Sequence, residues 1–505
     1  MVNISQLLTS NDCPSAAARA QVRGYITNLD EMTPVLDKRI VALTAELAKF
    51  TGGREALQRE RERYASVLSP LRELPLDVCG EIFGWACEDD PFIAFRLSQV
   101  SRHWRFAALG NSAIWTTMRL GHQKDESSAY QYLLVSINRA HNRAMTLVFN
   151  EVEDRPGCRL ALRRVLPSVR WKSITWTVYR EGRIPGKKIT DTIMTTSSAT
   201  LQHLAIESPK TLKLDAPWLL QQASRLKSFS LQNASRIAVE TLHLPWAQLT
   251  SLSLSSSDSL MDVVAPHFVQ ILLQCSANLE ECTLRFHSYR HITVSEDDFE
   301  PILFPRLRKL HLYTESPEWI TDIIETPMVE DVVLHLRPQE RPMDLEAPHR
   351  TLSDNRALDW LAECGPQLKK LDLEGLEFED WEELFPNLRE VEMLTIKGTS
   401  ECEAFTLGIL TINPNVNGPA GVLLPNLVAL KLVCIPSSDA QKALIAFVRS
   451  RWWKDADPGP HTCARLRAVE MVNVNEEEKF VCADGIKDLR RQGLKINVLT
   501  TDDIN

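Results

Sequence analysis

One six-residue pattern, apolar-x-x-apolar-x-apolar, returns along most of this chain and limits what it can fold into. It reads LQHLAI at 201–206, LKSFSL at 226–231, LTSLSL at 249–254 and LEECTL at 279–284. It continues as LRKLHL at 307–312, VEDVVL at 329–334, LKKLDL at 368–373, LREVEM at 388–393, LVALKL at 427–432 and LRAVEM at 466–471. WKSITW at 171–176 and AMTLVF at 144–149 extend the series toward the N-terminus. Residues two apart lie on one face of a strand. The intervals of 20 to 39 residues leave room for a turn, and in the longer ones a helix, before the next strand. The recurrence predicts a stacked α/β array over residues 140–505, in which each unit buries its apolar stripe against the next.

The joints fit that array. Pro305-Arg306-Leu307, Pro386-Asn387-Leu388 and Pro425-Asn426-Leu427 put a proline just ahead of a copy. There the reading places it at the first residue of a strand, where a ladder donor can be spared. Asp354 before Leu358 and Leu361, and Asp439 before Leu444, Ile445 and Val448, read as capped helices. The stretch DGIKDLRRQGLKINVL at 484–499 predicts a helix, a stop at Gly493 and a strand.

Ahead of the array, residues 1–24 read as a flexible N-terminus and residues 25–68 as helix. Leu29, Leu36, Leu43, Phe50, Leu57 and Tyr64 recur every seven residues, with Ile26, Ile40, Leu47 and Leu68 on the companion seam. Pro34 costs about 3 kcal/mol inside a helix, so the helix is expected to begin near it. Gly52-Gly53 weakens the middle, and Arg54 and Arg61 interrupt the seam. The expectation is a helix folding back on its neighbour; the alternative is a homodimer through residues 25–68. Glu55 and Arg59 are spaced as an i,i+4 pair.

Residues 69–120 read as a small helical module. Ser69-Pro70 ends the preceding helix, and Pro75 sits where a first turn tolerates it, followed by Val78, Ile82 and Phe83 on one face. Asp90-Pro91 starts a second helix, in which Leu97, Val100, Trp104 and Ala107 share a face up to a Gly110-Asn111 stop. About fifty residues bury too little surface to be stable alone.

Residues 69–121, SPLRELPLDVCGEIFGWA…AFRLSQVSRHWRFAALGNSAIWTTMRLG, resemble an F-box in the form common among fungal F-box proteins. The elements that carry the resemblance are Leu74-Pro75, Ile82-Phe83, Leu97-x-x-Val100-Ser101-Arg102-x-Trp104 and Trp115. Asp77 stands where the family prefers Glu, and Cys79 where leucine is usual. Gly80 and Gly84 weaken the first helix by about 1 kcal/mol each. The resemblance implies an α/β chain: an N-terminal helix and a small all-α F-box module, followed by an irregular leucine-rich-repeat solenoid. It further implies a substrate receptor of a cullin–RING ubiquitin ligase, docking on a Skp-type adaptor and through it on a cullin. Leu74, Pro75, Ile82, Phe83, Leu97 and Val100 would lie on or support the adaptor interface, with Trp104 and Trp115 as buried anchors. Val78, Trp104 and Ala107 read as plain core. The repeats would capture a protein substrate of unknown identity.

Other chemistry finds little support. The 505 residues carry a net charge of -9, which argues against broad nucleic-acid binding; the basic residues Arg163, Arg164, Arg170 and Lys172 are too sparse to reverse it. The N-terminus does not read as a secretory signal, and there is no run of about 18 apolar residues to span a membrane. Eleven cysteines without a CxxC pair read as reduced thiols in cytoplasm or nucleus. No phosphate loop, metal-binding or nucleophile signature occurs, so no cofactor, metal or enzymatic activity is expected. His287 and His291, and the acidic run Glu476–Glu478, read as surface. Trp452-Trp453 either closes a side of the solenoid or forms an exposed contact. The residues flanking each template's fourth position face outward, from His203/Ala205 to Ala468/Glu470. Glu390 and Glu392 lend the C-terminal half an acidic lean, which suggests a basic partner.

Overall fold

The computed structural model describes residues 13–120, 126–150, 161–162, 164–177, 197–208, 218–219, 222–233, 242–256, 269–286, 301–314, 317–335, 356–374, 378–397, 400–412, 422–434, 438–452, 463–473, 488–491 and 493–500. His287, His291, Asp354, Glu476–Glu478, Arg163 and Trp453 lie outside them. The chain is mixed α/β, with a long N-terminal helix and a large parallel sheet. It divides into two compact units, residues 1–85 with 95–110 and residues 86–94 with 111–505. The boundary differs from the one expected at residue 120, because 86–94 and 111–120 cluster with the strands.

Helix α1 (Ala16–Val67) runs unbroken for 52 residues, capped by the Ser15 side chain on the Ala18 amide. It begins eighteen residues before Pro34 and neither restarts nor folds back there, contrary to the expected hairpin. Proline removes the hydrogen bond to the carbonyl one turn back and crowds that carbonyl, and helix on both sides carries the segment through cooperatively. Thr33 and Thr51, immediately before Pro34 and Gly52, each donate a hydroxyl to the carbonyl four residues earlier, at 2.8 Å to Leu29 and to Leu47. Thr27 and Thr44 make the same bond, at 3.0 Å to Arg23 and 2.7 Å to Ile40, so it recurs along the helix and is not particular to these points. Arg59 Nε donates to the Glu55 carbonyl at 3.2 Å, a backbone contact for the expected pair.

After a short turn at Pro70–Arg72 come α2 (Leu76–Asp89), α3 (Ile93–Val100) and α4 (Arg102–Gly110). The Asp90 carboxylate caps the Phe92 amide at 2.9 Å. The single helix expected across Leu97, Val100, Trp104 and Ala107 is broken at Ser101. The Ser101 hydroxyl accepts from the Trp104 amide at 3.1 Å, capping α4, and a capping serine competes with helix continuation. At the far end of α3, Arg105 Nε donates to the Ser98 carbonyl at 2.8 Å.

Among the described residues the sheet has fourteen strands: β1 (Thr117–Leu120), β2 (Met145–Asn150), β3 (Trp171–Thr177), β4 (His203–Glu207), β5 (Ser228–Leu231), β6 (Ser251–Ser256) and β7 (Glu281–Phe286). Then follow β8 (Lys309–Tyr313), β9 (Asp331–His335), β10 (Lys370–Glu374), β11 (Met393–Lys397), β12 (Ala429–Cys434), β13 (Ala468–Asn473) and β14 (Lys495–Thr500). Every strand pairs in parallel with the next in the chain. One bulge interrupts the pairing of β2 with β3, between Met145 and Thr146; from β3 onward the register is continuous, so template positions form rows. Leu252, Cys282, Leu310, Val332 and Leu371 share one inward row, and Leu254, Leu284, Leu312, Leu334 and Leu373 the next; all ten are buried.

Seven of the template copies read from the sequence open on a buried residue that closes a turn. The amides of Leu226, Leu249, Leu307, Val329, Leu368, Leu388 and Leu427 each bond the carbonyl three residues back, at 3.0–3.4 Å. Pro305, Pro386 and Pro425 occupy the second position of such turns, where a fixed φ suits a type I or II geometry. They precede the strands rather than begin them, which corrects their expected place. Gly365 lies in one of these turns, and a Cβ there would collide with the Asn387 carbonyl oxygen. Gly493, at φ 98°, ends the last described helical turn: its amide bonds the Arg490 carbonyl at 3.0 Å and the Leu494 amide that of Leu489 at 3.3 Å.

The array starts earlier than residue 140. Trp115, Met118 and Leu120 satisfy the same template and are buried, and β1 pairs with β2. One copy is also displaced by three residues. In LREVEMLTI two frames fit, and the structure uses Val391, Leu394 and Ile396, with Met393 rather than Glu390 paired to Lys370. Leu388 and Val391 are both buried and Met393 is exposed. The chosen frame keeps Leu394 and Ile396 inside, whereas the other would turn them to solvent.

Candidate functional site

Helix α2 carries apolar side chains over more than one face. Cys79, Phe83 and Cys87, four residues apart, are buried. About 100° around the axis, Val78, Ile82 and Trp85 follow at i, i+4 and i+7 and are 41%, 42% and 68% exposed. Leu71, Leu76, Val100 and Phe106 in the same unit are exposed as well. Fully burying one such side chain is worth at most about 1.5–3 kcal/mol, and the apolar ridge is a candidate interaction surface. Trp85 was not singled out in the sequence; its i, i+7 spacing from Val78 is the signal that identifies it.

Of the expected interface residues, Ile82, Pro75 and Val100 are exposed and Leu74 and Leu97 half-buried. Phe83 is buried, its ring 5.1 Å from that of Trp104, so it supports the ridge from beneath and offers no contact of its own. Trp104 is half-buried instead of fully enclosed. Val78, expected in the core, is on the surface; Ala107 is buried as expected.

His103, between Arg102 and Trp104, does work that the pattern did not reveal. Its Nε2 donates to the Leu74 carbonyl at 2.8 Å and lies 3.9 Å from Cys79 Sγ. A carbonyl can only accept, so Nε2 carries the proton. The Leu74-Pro75 segment is thereby tied to α4.

Trp115 does not belong to this helical unit. It is the first template residue of β1, is buried, and has the Arg139 guanidinium 4.3 Å from its ring centre. Its anchoring role is in the strand array. Trp452, half-buried, has the Arg465 guanidinium 4.0 Å from its ring centre.

The outward rows of the sheet form a second candidate surface, and their charges are paired. Lys309 bonds Glu281 at 2.5 Å, Lys397 meets Asp372 at 3.2 Å and Lys431 meets Glu470 at 3.4 Å. Glu390 and Glu392 precede β11 and are not on this face; Met393 and Thr395 take the outward positions instead. The expected acidic lean is therefore removed twice, by the frame of β11 and by cross-strand lysines.

The densest node is His335, whose residue is 5% exposed. Its Nδ1 lies 3.1 Å from Glu374 Oε2, and its Nε2 lies 2.9 Å from Asp372 Oδ1 and 2.8 Å from Lys397 Nζ. Nε2 can donate to Asp372 or accept from Lys397, but not both at once. Tyr313 packs edge-on against the imidazole at 4.7 Å between centres, and the Arg285 guanidinium lies 4.3 Å from the Tyr313 ring centre. Burial alone would raise the Asp372 carboxyl, but the His335 hydrogen bond and the Lys397 charge hold it below the usual carboxylate range. The node is a polar platform built from five adjacent strands.

Burial pushes the thiols of Cys87 and Cys364 up to about 11 and that of Cys275 to about 12, keeping them protonated near neutral pH. Among the described residues, no group of three His, Cys, Asp or Glu is placed to hold a metal ion, and no helix is long and apolar enough to cross a membrane. The chain matches no protein-family model and no curated protein.

Proposed function

We propose that this chain is a non-enzymatic substrate receptor of a cullin–RING ubiquitin ligase, working in cytoplasm or nucleus. In this reading the helical segment after α1 is an F-box that docks on a Skp-type adaptor, and the strand array is an irregular leucine-rich-repeat-like solenoid that holds a protein substrate. The observation that carries the proposal is the exposed ridge Val78–Ile82–Trp85 on a helix whose neighbouring face is core. The strict chain order of fourteen parallel strands supports the repeat reading. Leu74 and Pro75, held by His103, lie at the start of the ridge helix.

The test is co-elution of the full-length chain with purified Skp-type adaptor. Val78→Glu with Ile82→Glu is expected to abolish it while the thermal melt of the protein is unchanged. Undiminished co-elution removes the proposal.

A second reading is a non-enzymatic repeat scaffold whose F-box-like segment only caps the solenoid. The contact that favours it is Phe92 against Tyr132, rings 5.0 Å apart, which builds part of the F-box-like segment into the strand unit. Full-length protein that binds no adaptor but aggregates once residues 69–110 are deleted would select this reading.

A further inference from the structure

We infer that α1 is the dimerisation element of this protein and that it pairs with a second copy of itself in antiparallel orientation. The inference stands independently of the ubiquitin-ligase reading. The helix is about 78 Å long at 1.5 Å per residue, and its seam is bare. Ile26, Leu29, Leu36, Ile40, Leu43, Leu47, Phe50, Leu57 and Tyr64 are each at least 50% exposed. A stripe of that length along one helix face is what a coiled-coil partner covers.

The two seam arginines decide the orientation. Numbering the heptad so that Ile26, Ile40 and Leu47 are a and Leu29, Leu43 and Phe50 are d puts Arg54 and Arg61 at a, and Asp30 and Asp37 at e. Parallel chains in register would press Arg54 against the partner's Arg54, and Arg61 likewise. Antiparallel chains align each a with a d of the partner. One register then satisfies the seam: Leu43 beside the partner's Leu47, Ile40 beside the partner's Phe50, and Ile26 beside the partner's Tyr64. In the same register Arg54 falls beside the partner's Leu36 and Arg61 beside the partner's Leu29. Each arginine can lay its stem on a leucine. Each also comes within one residue's rise of an acid, the partner's Asp37 and the partner's Asp30, on the same edge of the pair. The interruptions that weaken a parallel coil become cross-chain ion pairs in the antiparallel one.

Light scattering on the full-length protein is expected to give twice the 57.2 kDa chain mass; a single chain's mass overturns the inference. Chains carrying Ile26→Cys and Tyr64→Cys, mixed and mildly oxidised, are expected to yield a 26-to-64 crosslinked peptide by mass spectrometry. Predominant 26-to-26 linkage overturns the orientation. Arg54→Asp with Arg61→Asp sets new carboxylates beside the partner's Asp37 and the partner's Asp30 in the antiparallel arrangement, whereas in a parallel one it merely exchanges one like-charge pair for another. It should weaken dimerisation at least tenfold, with recovery on adding Asp30→Arg and Asp37→Arg. Dimerisation indifferent to the reversal also overturns it.

Discussion

His103 Nε2 donates to the carbonyl oxygen of Leu74 across 29 residues of chain, at 2.8 Å. The bond fixes where α2 starts relative to α4, and so the direction in which the ridge on α2 points. The neighbouring Trp104 ring braces Phe83 from the same helix, so one turn of α4 holds both the loop ahead of α2 and the core face of α2.

Replacing His103 by alanine should cost about 1 kcal/mol, the net worth of one hydrogen bond. Amide exchange is expected to speed up around residues 74–79 and to stay unchanged in β4–β13. Uniform exchange across the chain would show that the bond does not position this loop.

Phe83 and Val78 should separate cleanly. Phe83→Ala is predicted to destabilise by about 3–5 kcal/mol, the range for a buried phenylalanine. Val78→Ala should change stability by less than about 0.5 kcal/mol, since substitutions at exposed sites do little. Urea denaturation curves report both; comparable losses would place Val78 in the core after all.

The frame of β11 can be read from three alanines. Leu394→Ala and Ile396→Ala should each cost about 2–5 kcal/mol, and Met393→Ala, at a side chain 46% exposed, far less. The reverse order would restore the frame in which Glu390 and Glu392 face outward.

Arg451 is fully buried at the end of the helix Ser438–Arg451 and spans three carbonyls, Leu410 at 3.1 Å, Leu424 at 2.9 Å and Leu423 at 2.5 Å. Burial brings its pKa down to about 10, so it stays charged at neutral pH. Arg451→Leu strands all three acceptors, and leaving each buried acceptor unmet costs about 1–3 kcal/mol. Calorimetry should show a large fall in Tm. Arg451→Lys, with fewer donors in a different geometry, should recover only part of it.

Asp372 gives the protein an acid-sensitive contribution of defined sign. Its folded pKa lies below the unfolded value of about 3.9, so its stabilisation is present above that value and is lost as pH falls through the folded pKa. The Tm difference between the native chain and Asp372→Asn should be widest above about pH 5 and shrink below about pH 4. A difference constant from pH 2 to pH 6 would show that the carboxylate is not engaged with His335 and Lys397.

The strand template alone determined the inward rows: Leu252, Leu310, Leu371 and their neighbours are buried because side chains two apart share a face wherever the strand lies. The heptad likewise marked the seam of α1, and Gly493 its own turn, since both follow from local geometry. Other features depended on residues far apart in the chain. LREVEMLTI satisfies two frames equally, and only pairing with β10, together with burial of Leu394 and Ile396, selects one. Val78 and Phe83 are both apolar and lie on neighbouring faces of α2, and Trp104, twenty-one residues after Phe83, settles which is inside. Trp115 fits both a helical module and a strand repeat, and the parallel partner β2 assigns it to the repeat. Local pattern fixes which side chains share a face; tertiary contact decides which of those faces is covered.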